Sequence, residues 1–456
     1  MTPSAGTGGN RPPSHLFYQS RQRRPLLDRG DGVYLYDVDG RCWLDGSSGA
    51  MVANIGHGNR YVIDAMRRQM EKATFGYRLH FENEPAETLA ARTAARMPEG
   101  LDRIFFVSGG SEAVESCIKL ARQWALATNQ AARWKVISRF PSYHGATLGA
   151  LALTGMAPMS APFSPMMREM PKISAPTGYL DRDDLSADER GLKYAELLRE
   201  QILREGPETV LAFIMEPIGG ASTGALVAPD AYHRRIREIC DEFGILLIHD
   251  EVMTGAGRTG TFLASDHCPE ARPDIIALSK GFAAGYAPLG AIAAHHRLVE
   301  PVLDAGGFIH GYTYAGNPLA CAAGLAVLDV VESRDLPANA AAMGAKLADG
   351  LRALAARYPF IGDVRGRGLL LAFEMVADPD TMAPLPAAMN AHSRVVEAAY
   401  ERGLIVYSRR TRGGTHGDHV MVCPPLIADP SHLGEILTKL DDALSEVADT
   451  LGLPRN

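Results

Sequence analysis

The chain has 456 residues, of which 46% are hydrophobic and 22% are charged, an ordinary balance for a globular protein in water. Its formal net charge of −7 argues against nucleic acid as a partner, and no apolar run is long enough to cross a membrane. The six cysteines are scattered without C-x-x-C pairs, which indicates reduced thiols and a cytoplasmic location. A chain of this length predicts two domains.

The N-terminal region begins with a polar tail. Residues 1–14 are rich in Gly, Pro, Ser and Thr and lack the apolar core of a signal peptide, so they predict a disordered segment. In the next segment, residues 15–75, the stretch GVYLYDVDGRCWLDG alternates apolar and polar residues around Asp39-Gly40. This pattern predicts a β-hairpin with a type I′ turn, because Asp-Gly tolerates the positive φ angles of that turn.

The middle of the chain, residues 76–329, predicts the larger domain. From about Leu101, short apolar runs such as VLAFIMEP and GILLIHDE alternate with amphipathic helical stretches. This order is typical of an α/β fold in which helices cover a mainly parallel sheet. Residues 330–456 add Ala-rich helical stretches and further strands, so we expect a smaller α+β domain formed by the N- and C-terminal segments together.

Ligands of such sheets bind beyond the carboxyl ends of the strands, so the residues that follow each apolar run are the candidate site. They comprise a glycine-rich turn, a Ser-Tyr-His-Gly segment, two or three carboxylates and one lysine. The groups are residues 108–111, residues 142–145, Glu216, Asp250 with Glu251, and Lys280. We expect them to line one pocket.

The glycine-rich turn in VSGGSEAVESCIKLAR predicts a strand, a turn and a helix. Gly110 lets backbone amides approach an anion, the helix N-terminus attracts negative charge, and Ser111 suits the N-cap position. An ordinary capped turn would have the same sequence, so this motif alone does not decide between the two. It is not a nucleotide-binding Walker loop, because no Gly-Lys-Ser/Thr follows.

Lys280 and Asp250 together indicate a specific cofactor. A lysine is usually a solvated charge, but at a strand end facing a cleft it loses water, its pKa falls, and it becomes a nucleophile for carbonyl groups. With a carboxylate at Asp250 and a cup for phosphate, it meets the needs of pyridoxal 5'-phosphate. Tyr143 could stack on the ring, and the sequence has no His and carboxylate spacing typical of a metal site.

In combination, these motifs resemble the class III aminotransferases, pyridoxal-phosphate enzymes of fold type I that include ω-amino acid and amine transaminases. The resemblance extends from about Tyr34 to Leu426, nearly the whole chain. The matching motifs, in order, are SGGSEAVE, YHGATLGAL, MEPIGG, HDEVMTGAGRTG, PDIIALSKG, GYAPLGA and GYTYAGNPLACAAGLAVLDVV.

The resemblance implies a role for each matching residue around the cofactor ring. Lys280 would form the Schiff base with the cofactor, and Asp250 would pair with the pyridinium nitrogen. Val252 would pack against one face of the ring, and Tyr143 would stack on the other. Glu216, in MEPIGG, would lie near the cofactor.

The resemblance also implies a phosphate site and a homodimer. Gly110 and Ser111 would hold the phosphate. Thr313, in GYTYAGNP, would reach the phosphate of the neighbouring subunit, so each active site would need both subunits. Whether such dimers pair into tetramers stays open.

The chain departs from the family pattern around the substrate. Where many amine and ω-amino acid transaminases have a tryptophan in DGSSGLW, this chain has Met51 in DGSSGAM, which would change the bulk of the substrate pocket. The glutamine of EPxQG is Gly219 here. The family's substrate arginine aligns with Gly414, and Arg412 nearby is a candidate carboxylate binder, with a solvated arginine as the alternative.

The implied activity is an aminotransferase that moves an amino group from an amine or ω-amino acid to a 2-oxo acid. Pyruvate is favoured as the acceptor, 2-oxoglutarate is the other candidate, and the reaction would be ping-pong through a Lys280 Schiff base. A pyridoxal-phosphate-dependent decarboxylase or aminomutase of the same family would share the cofactor residues. The intact Lys280 and Asp250 argue against a non-catalytic relative, and no G-x-G-x-x-G after a strand supports a dinucleotide oxidoreductase.

Overall fold

The computed structural model describes residues 14–17 and 19–456 of the chain. The predicted disordered tail, residues 1–14, lies outside the described residues except for Ser14. Three β-sheets organise the described part, one of seven strands, one of four and one of five. No helix in this part is both long and apolar enough to cross a membrane.

The N-terminal hairpin is present, but its turn differs from the prediction. The first strands are β1 (Leu27–Asp31), β2 (Tyr34–Asp37) and β3 (Cys42–Asp45), each antiparallel to the next. The Asp37 N–H donates to the Arg41 carbonyl at 3.0 Å, and only Gly40 in the loop has a positive φ, of 82°. The type I′ prediction is therefore wrong, because a three-residue loop needs one left-handed residue and not two.

Seven strands form the largest sheet. They are β4 (Arg103–Val107), β5 (Lys135–Phe140), β6 (Lys172–Ser174), β7 (Val210–Met215), β8 (Leu246–Asp250), β9 (Ile275–Leu278) and β10 (Gly290–Ala294). Their order across the sheet is β4-β10-β9-β8-β7-β5-β6, and only β10 runs antiparallel to its neighbours. The predicted mainly parallel sheet is thus confirmed. The carboxyl ends of β4, β5, β7, β8 and β9 meet at one edge.

Helices cover both faces of this sheet. Along β7 every residue is buried, and successive side chains point to opposite faces. Phe213 packs with Ile236 on one face, and Ile214 packs with Leu120 on the other, so the apolar run is explained by two-sided burial. The helices up to this point are α1 (Ser48–Met51), α2 (Arg60–Lys72), α3 (Glu84–Ala94), α4 (Gly110–Ala127), α5 (Leu148–Leu153), α6 (Ala157–Ser160), α7 (Ala187–Glu205), α8 (Asp230–Phe243), α9 (His296–Asp304) and α10 (Pro318–Ser333).

The C-terminal part forms the third sheet and completes the first. Its strands are β11 (Ile361–Arg367), β12 (Leu370–Asp378), β13 (Ala383–Pro384), β14 (Leu404–Ile405), β15 (Tyr407–Arg412) and β16 (His416–Val422), and its helices are α11 (Leu336–Arg357), α12 (Ala391–Glu401) and α13 (Pro430–Leu451). Strand β14 pairs in parallel with β3, which joins the N-terminal hairpin to the C-terminal segment as predicted. The domain boundaries at 75/76 and 329/330 stay a prediction.

Candidate active site

A pocket of about 170 Å³ opens at the carboxyl edge of the seven-stranded sheet. It brings together every predicted cofactor-binding residue except Thr313, namely Gly110, Ser111, Tyr143, Glu216, Asp250, Val252 and Lys280. These residues come from five different strand ends that are far apart in sequence. The fold therefore assembles the pocket that the strand-end argument predicted.

Asp250 is the last residue of β8 and is held from two sides. Its Oδ1 accepts a hydrogen bond from the Val252 N–H at 3.1 Å, and its Oδ2 lies 2.8 Å from Nδ1 of His144. Both side chains are buried, and Nε2 of His144 has no partner within the described residues. Because a carboxylate only accepts, Nδ1 of His144 must carry the proton that joins them. The position of the Asp250 carboxylate is thus fixed by His144.

Lys280 follows β9 and reaches the same pocket. Its backbone is left-handed, with a φ of 46°, a conformation that a non-glycine residue adopts at a cost of about 1–3 kcal/mol. No hydrogen bond or ion pair joins its Nζ to any residue that the structure describes. Loss of solvent lowers the pKa of Lys280 below its ordinary value, although the charges of Asp250 and Glu216 oppose this shift. A larger fraction of its amine is therefore neutral, which is the nucleophilic form.

The start of α4 provides a place for an anion. The helix begins at Gly110, and the preceding Gly109 is an N-cap without a side-chain hydrogen bond. Ser111 is therefore inside the helix, and the N-cap prediction for it is wrong by two positions; its Oγ instead accepts from the Ala146 N–H at 3.0 Å. A Cβ on Gly110 would lie only 2.8 Å from Cγ1 of Val252. Glycine thus permits the close approach of the helix start to the pocket floor.

Tyr143 and Glu216 form another wall of the pocket. The Tyr143 N–H donates to Oε1 of Glu216 at 3.2 Å. Arg139 compensates the buried negative charge, since its Nη2 lies 3.2 Å from Oε2 of Glu216 and also donates to the Glu216 carbonyl at 2.6 Å. Burial raises the pKa of the Tyr143 hydroxyl, so this group stays protonated near neutral pH. The wall combines an aromatic face with a carboxylate that already has a cation partner.

Glu251 has a different role from Asp250 beside it. Its fully buried carboxylate accepts hydrogen bonds from the Thr254 hydroxyl, the Ala264 N–H at 3.0 Å, and both the N–H and the hydroxyl of Ser265 at 2.7 Å. Burial raises the pKa of Glu251, and these bonds oppose the rise. Glu251 therefore closes the loop after β8 and holds Val252 at the pocket.

The structure does not bring three predicted residues into this pocket. Thr313 lies on an exposed loop of its own chain. Met51 is 1% exposed and packs in an apolar cluster beside the pocket residues Ala221 and Met253. Arg412 ends β15, where its Nη2 donates to the Met382 carbonyl at 2.6 Å.

Two residues near the pocket were missed. Tyr407 packs against the same apolar cluster as Met51. The guanidinium of Arg409 lies 4.8 Å from the centroid of the Tyr407 ring, and its positive charge opposes the raised pKa of Tyr143. Within the described residues its one hydrogen bond goes to the Ser408 carbonyl, at 3.3 Å. Strand alternation is the signal that could have found it, because residues 407 and 409 share a face that residue 412 does not.

Comparisons with known proteins agree with this site. The family model for Aminotransferase class-III matches residues 18–444. The uncharacterised aminotransferase YodT of Bacillus subtilis is 38% identical over 429 residues, or 94% of this chain and 96% of the relative. The putrescine–pyruvate aminotransferase of Pseudomonas aeruginosa is 33% identical and is matched over 93% of this chain and 91% of its own length.

A solved structure agrees in fold as well. The crystal structure of an amine transaminase from an uncultivated Pseudomonas species, with pyridoxal phosphate bound, is 35% identical and superimposes with a TM-score of 0.88 over 96% of this chain and 99% of the other. The chain therefore belongs to the class-III aminotransferase family and is an aminotransferase. Members of this family depend on pyridoxal phosphate. These relatives and the solved structure are named as aminotransferases or transaminases, which favours transamination over the decarboxylase and aminomutase alternatives.

Proposed function

We propose that this chain binds pyridoxal phosphate in the described pocket and transfers an amino group from an amine or ω-amino acid to a 2-oxo acid. The observation that carries the proposal is the partly desolvated amine of Lys280, which makes no hydrogen bond or ion pair with the described residues, in the same pocket as the buried carboxylate of Asp250. The start of α4, where the Gly109 N-cap makes no side-chain hydrogen bond, fits a phosphate group. A decarboxylase would use the same residues, so the products of the reaction distinguish the two.

Each residue has a task in this proposal. Bound pyridoxal phosphate supplies an aldehyde and an electron-accepting ring. Lys280 would hold the cofactor through its amine and, once free, would be the group that moves the donor's proton. Asp250 would pair with the ring nitrogen, and its hydrogen bond with His144 holds it in place. Val252 and Tyr143 would pack against the two faces of the ring, and Glu216 lies beside Tyr143.

The second subunit completes the site in this proposal. Thr313 lies outside the pocket of its own chain and is exposed, so it is free to contact the phosphate held by a partner. Large apolar side chains near it in sequence are exposed in the single chain, including Ile309 at 88% and Tyr314 at 63%. Exposed apolar groups that lie together mark an interaction site, unlike single ones. A homodimer would cover them.

For the acceptor we favour pyruvate and assign its carboxylate to Arg409. The putrescine–pyruvate aminotransferase that this chain resembles supports pyruvate as the acceptor. Arg409 has no carboxylate partner within the described part of the chain, whereas Arg412 is bonded to the Met382 carbonyl and lies 3.9 Å from Oε1 of Glu374. An arginine free of such partners can bind a carboxylate with two parallel hydrogen bonds.

The test is a panel of amine donors offered with pyruvate or 2-oxoglutarate, with each half-reaction followed by cofactor absorption. We expect one equivalent of carbonyl product per site from the donor alone, and recovery of the starting spectrum after the 2-oxo acid is added. Release of carbon dioxide, or a rearranged amino acid, would support the decarboxylase or aminomutase alternative. A protein that remains colourless with added cofactor would contradict the proposal.

A further inference from the structure

A buried turn, residues 219–226, follows β7 and forms part of the pocket wall. Two of its residues, Gly220 and Ala221, line the pocket. The tip of the turn is left-handed at Gly224 and Ala225, with φ angles of 61° and 56°. Alanine is unfavourable in this conformation because its Cβ crowds the following carbonyl, so contacts around the turn must hold it.

The first residue of the turn, Gly219, packs against later residues of the same turn so closely that only glycine fits there. The Gly219 N–H donates to the Leu226 carbonyl at 2.8 Å and closes the turn. A Cβ on Gly219 would lie 2.0 Å from Oγ1 of Thr223. The Thr223 side chain thus fills the space beside Gly219, and any side chain at position 219 would collide with it in this arrangement.

Arg365 holds the tip of the turn from the neighbouring sheet. Its Nη2 donates to the Thr223 carbonyl at 2.9 Å and to Oε2 of Glu374 at 2.8 Å. Glu374 is completely buried and also accepts from the Tyr179 hydroxyl at 2.8 Å and the Thr411 hydroxyl at 3.3 Å. The guanidinium of Arg365, which extends from β11, is therefore held by Glu374, and its bond to Thr223 reaches the turn that carries the pocket residues Gly220 and Ala221.

We propose that Arg365 is a positioning residue that, through the Thr223 carbonyl, sets the shape of the pocket wall at Gly220 and Ala221, against which an amine donor would lie. This inference rests on the proposed function, because it concerns the donor. The turn has little freedom to move without altering the pocket. A Cβ on Gly220 would lie 2.9 Å from Sδ of Met253, which lines the pocket too, so the two walls are already in close contact. Arg365 touches no reacting group, so it governs which donors fit and not the chemistry.

The main test replaces Arg365 by lysine. An ammonium group keeps the positive charge beside Glu374, but it lacks the planar fork that reaches both Glu374 and the Thr223 carbonyl. The matched control is Asp363→Asn, which weakens the 2.7 Å bond from Nη1 of Arg365 and leaves both Nη2 bonds intact. Both variants are measured with the cofactor bound.

Two measurements test the proposal: one follows the mobility of the turn, and the other follows the preference among amine donors. Hydrogen exchange of peptides covering residues 217–228 should accelerate about ten-fold or more in Arg365→Lys, the expected effect of losing one bond to a charged donor. The ratio of kcat/KM between a bulky and a small amine should change by about five-fold or more through KM. The maximal half-reaction rate and cofactor absorption should stay within about two-fold of wild type. Asp363→Asn should change neither exchange nor the donor ratio.

A second variant tests the same contact from the side of the turn. A Cβ on Gly224 would lie 2.8 Å from Nη2 of Arg365 and 3.0 Å from the His419 ring, so Gly224→Ala should displace Arg365. Its matched control is Gly32→Ala, at a similar φ of 56° with no atom within 4 Å of the added carbon. If Arg365→Lys does not fold, Gly224→Ala provides the test. The inference then requires that Gly224→Ala changes the ratio of kcat/KM between a bulky and a small amine and that Gly32→Ala does not.

The inference is overturned if a folded Arg365→Lys variant has the wild-type ratio of kcat/KM between bulky and small amines and the wild-type hydrogen exchange of residues 217–228. It is also overturned if kcat falls equally for all donors while KM is unchanged. Its failure is distinct from failure of the proposed function. A wild-type protein that transaminates no donor contradicts the proposed function. An active wild type whose donor preference ignores Arg365 contradicts this inference alone.

Discussion

Nδ1 of His144 lies 2.8 Å from Oδ2 of Asp250, and both side chains are buried at the end of β8. The histidine therefore fixes a carboxylate that would otherwise be free to rotate at the pocket floor. In the proposed function this fixed carboxylate is the group that would face the ring nitrogen of the cofactor.

The first prediction concerns the charge of Asp250. Asp250→Asn keeps the shape but removes the charge that holds the ring-nitrogen proton, so proton removal from the donor should slow by about 10²–10³-fold, the usual effect of losing one preorganised electrostatic partner. The protein should stay yellow, because Lys280 still holds the cofactor. Single-turnover absorption measures the rate. N-methylated cofactor should restore part of it, and a near-wild-type rate in Asp250→Asn would show that the carboxylate only ends the strand.

The second prediction concerns the pH dependence of stability in the cofactor-free protein. Burial lowers the pKa of Lys280 from 10.5, so between the folded and unfolded pKa values the unfolded chain binds more protons. The free energy of unfolding should therefore rise with pH across this window, up to about pH 10.5. Lys280→Met should remove this rise and be the more stable protein at lower pH.

Urea unfolding of the cofactor-free protein at several pH values tests this expectation. The control is Lys346→Met, because Lys346 lies on the exposed face of α11. Its stability should follow the wild-type pH dependence. A parallel dependence in wild type and Lys280→Met would mean that the lysine amine is well solvated.

The third prediction concerns Thr313. Thr313→Ala should weaken cofactor retention by about 1.5–3 kcal/mol, the worth of a hydrogen bond to a charged group. Mixing this variant with Lys280→Ala should regenerate activity, because each hybrid dimer then contains one site with both residues intact. Mixing Lys280→Ala with Asp250→Asn is the control and should regenerate none, since both residues serve one site from the same chain. No recovery after verified subunit exchange would place Thr313 outside the neighbouring site.

The fourth prediction separates the two arginines of β15. Arg409→Met should raise KM for pyruvate by about 10–100-fold, because a charged hydrogen-bonded pair is lost, and should leave amines without a carboxylate unaffected. Arg412→Met should leave KM unchanged and lower the free energy of unfolding, since its bond to the Met382 carbonyl is structural. Steady-state kinetics with both substrates varied would distinguish them. An unchanged KM in Arg409→Met would exclude it as the carboxylate binder.

The sequence predicted the seven-stranded sheet and the positions of Asp250 and Lys280 in the pocket because both follow from patterns within short stretches of the chain. Apolar runs specify buried strands, and the carboxyl-end rule places Asp250 and Lys280 together although thirty residues of unrelated sequence separate them. Helix boundaries are less certain from sequence: α4 begins at Gly110 and not after Ser111, because extended backbone at Gly109 already serves as the cap.

Contacts between distant segments were beyond the sequence argument. Glu251 closes a loop through Ala264 and Ser265, 13 and 14 residues away, and no local pattern encodes that pairing. Arg365 meets the Thr223 carbonyl across 142 residues. Every residue has a backbone carbonyl, so the sequence does not indicate which one accepts this hydrogen bond. The contact is visible only in the folded structure.

The most direct test of the central claim is borohydride reduction followed by peptide mapping, before and after one turnover with an amine donor. We predict that reduction of the resting protein attaches the cofactor to Lys280 and to no other lysine. After a saturating donor without acceptor, the attachment should disappear as one equivalent of carbonyl product forms, and pyruvate should restore it. Attachment at a different lysine, or attachment at Lys280 that persists while no carbonyl product forms, would contradict the account.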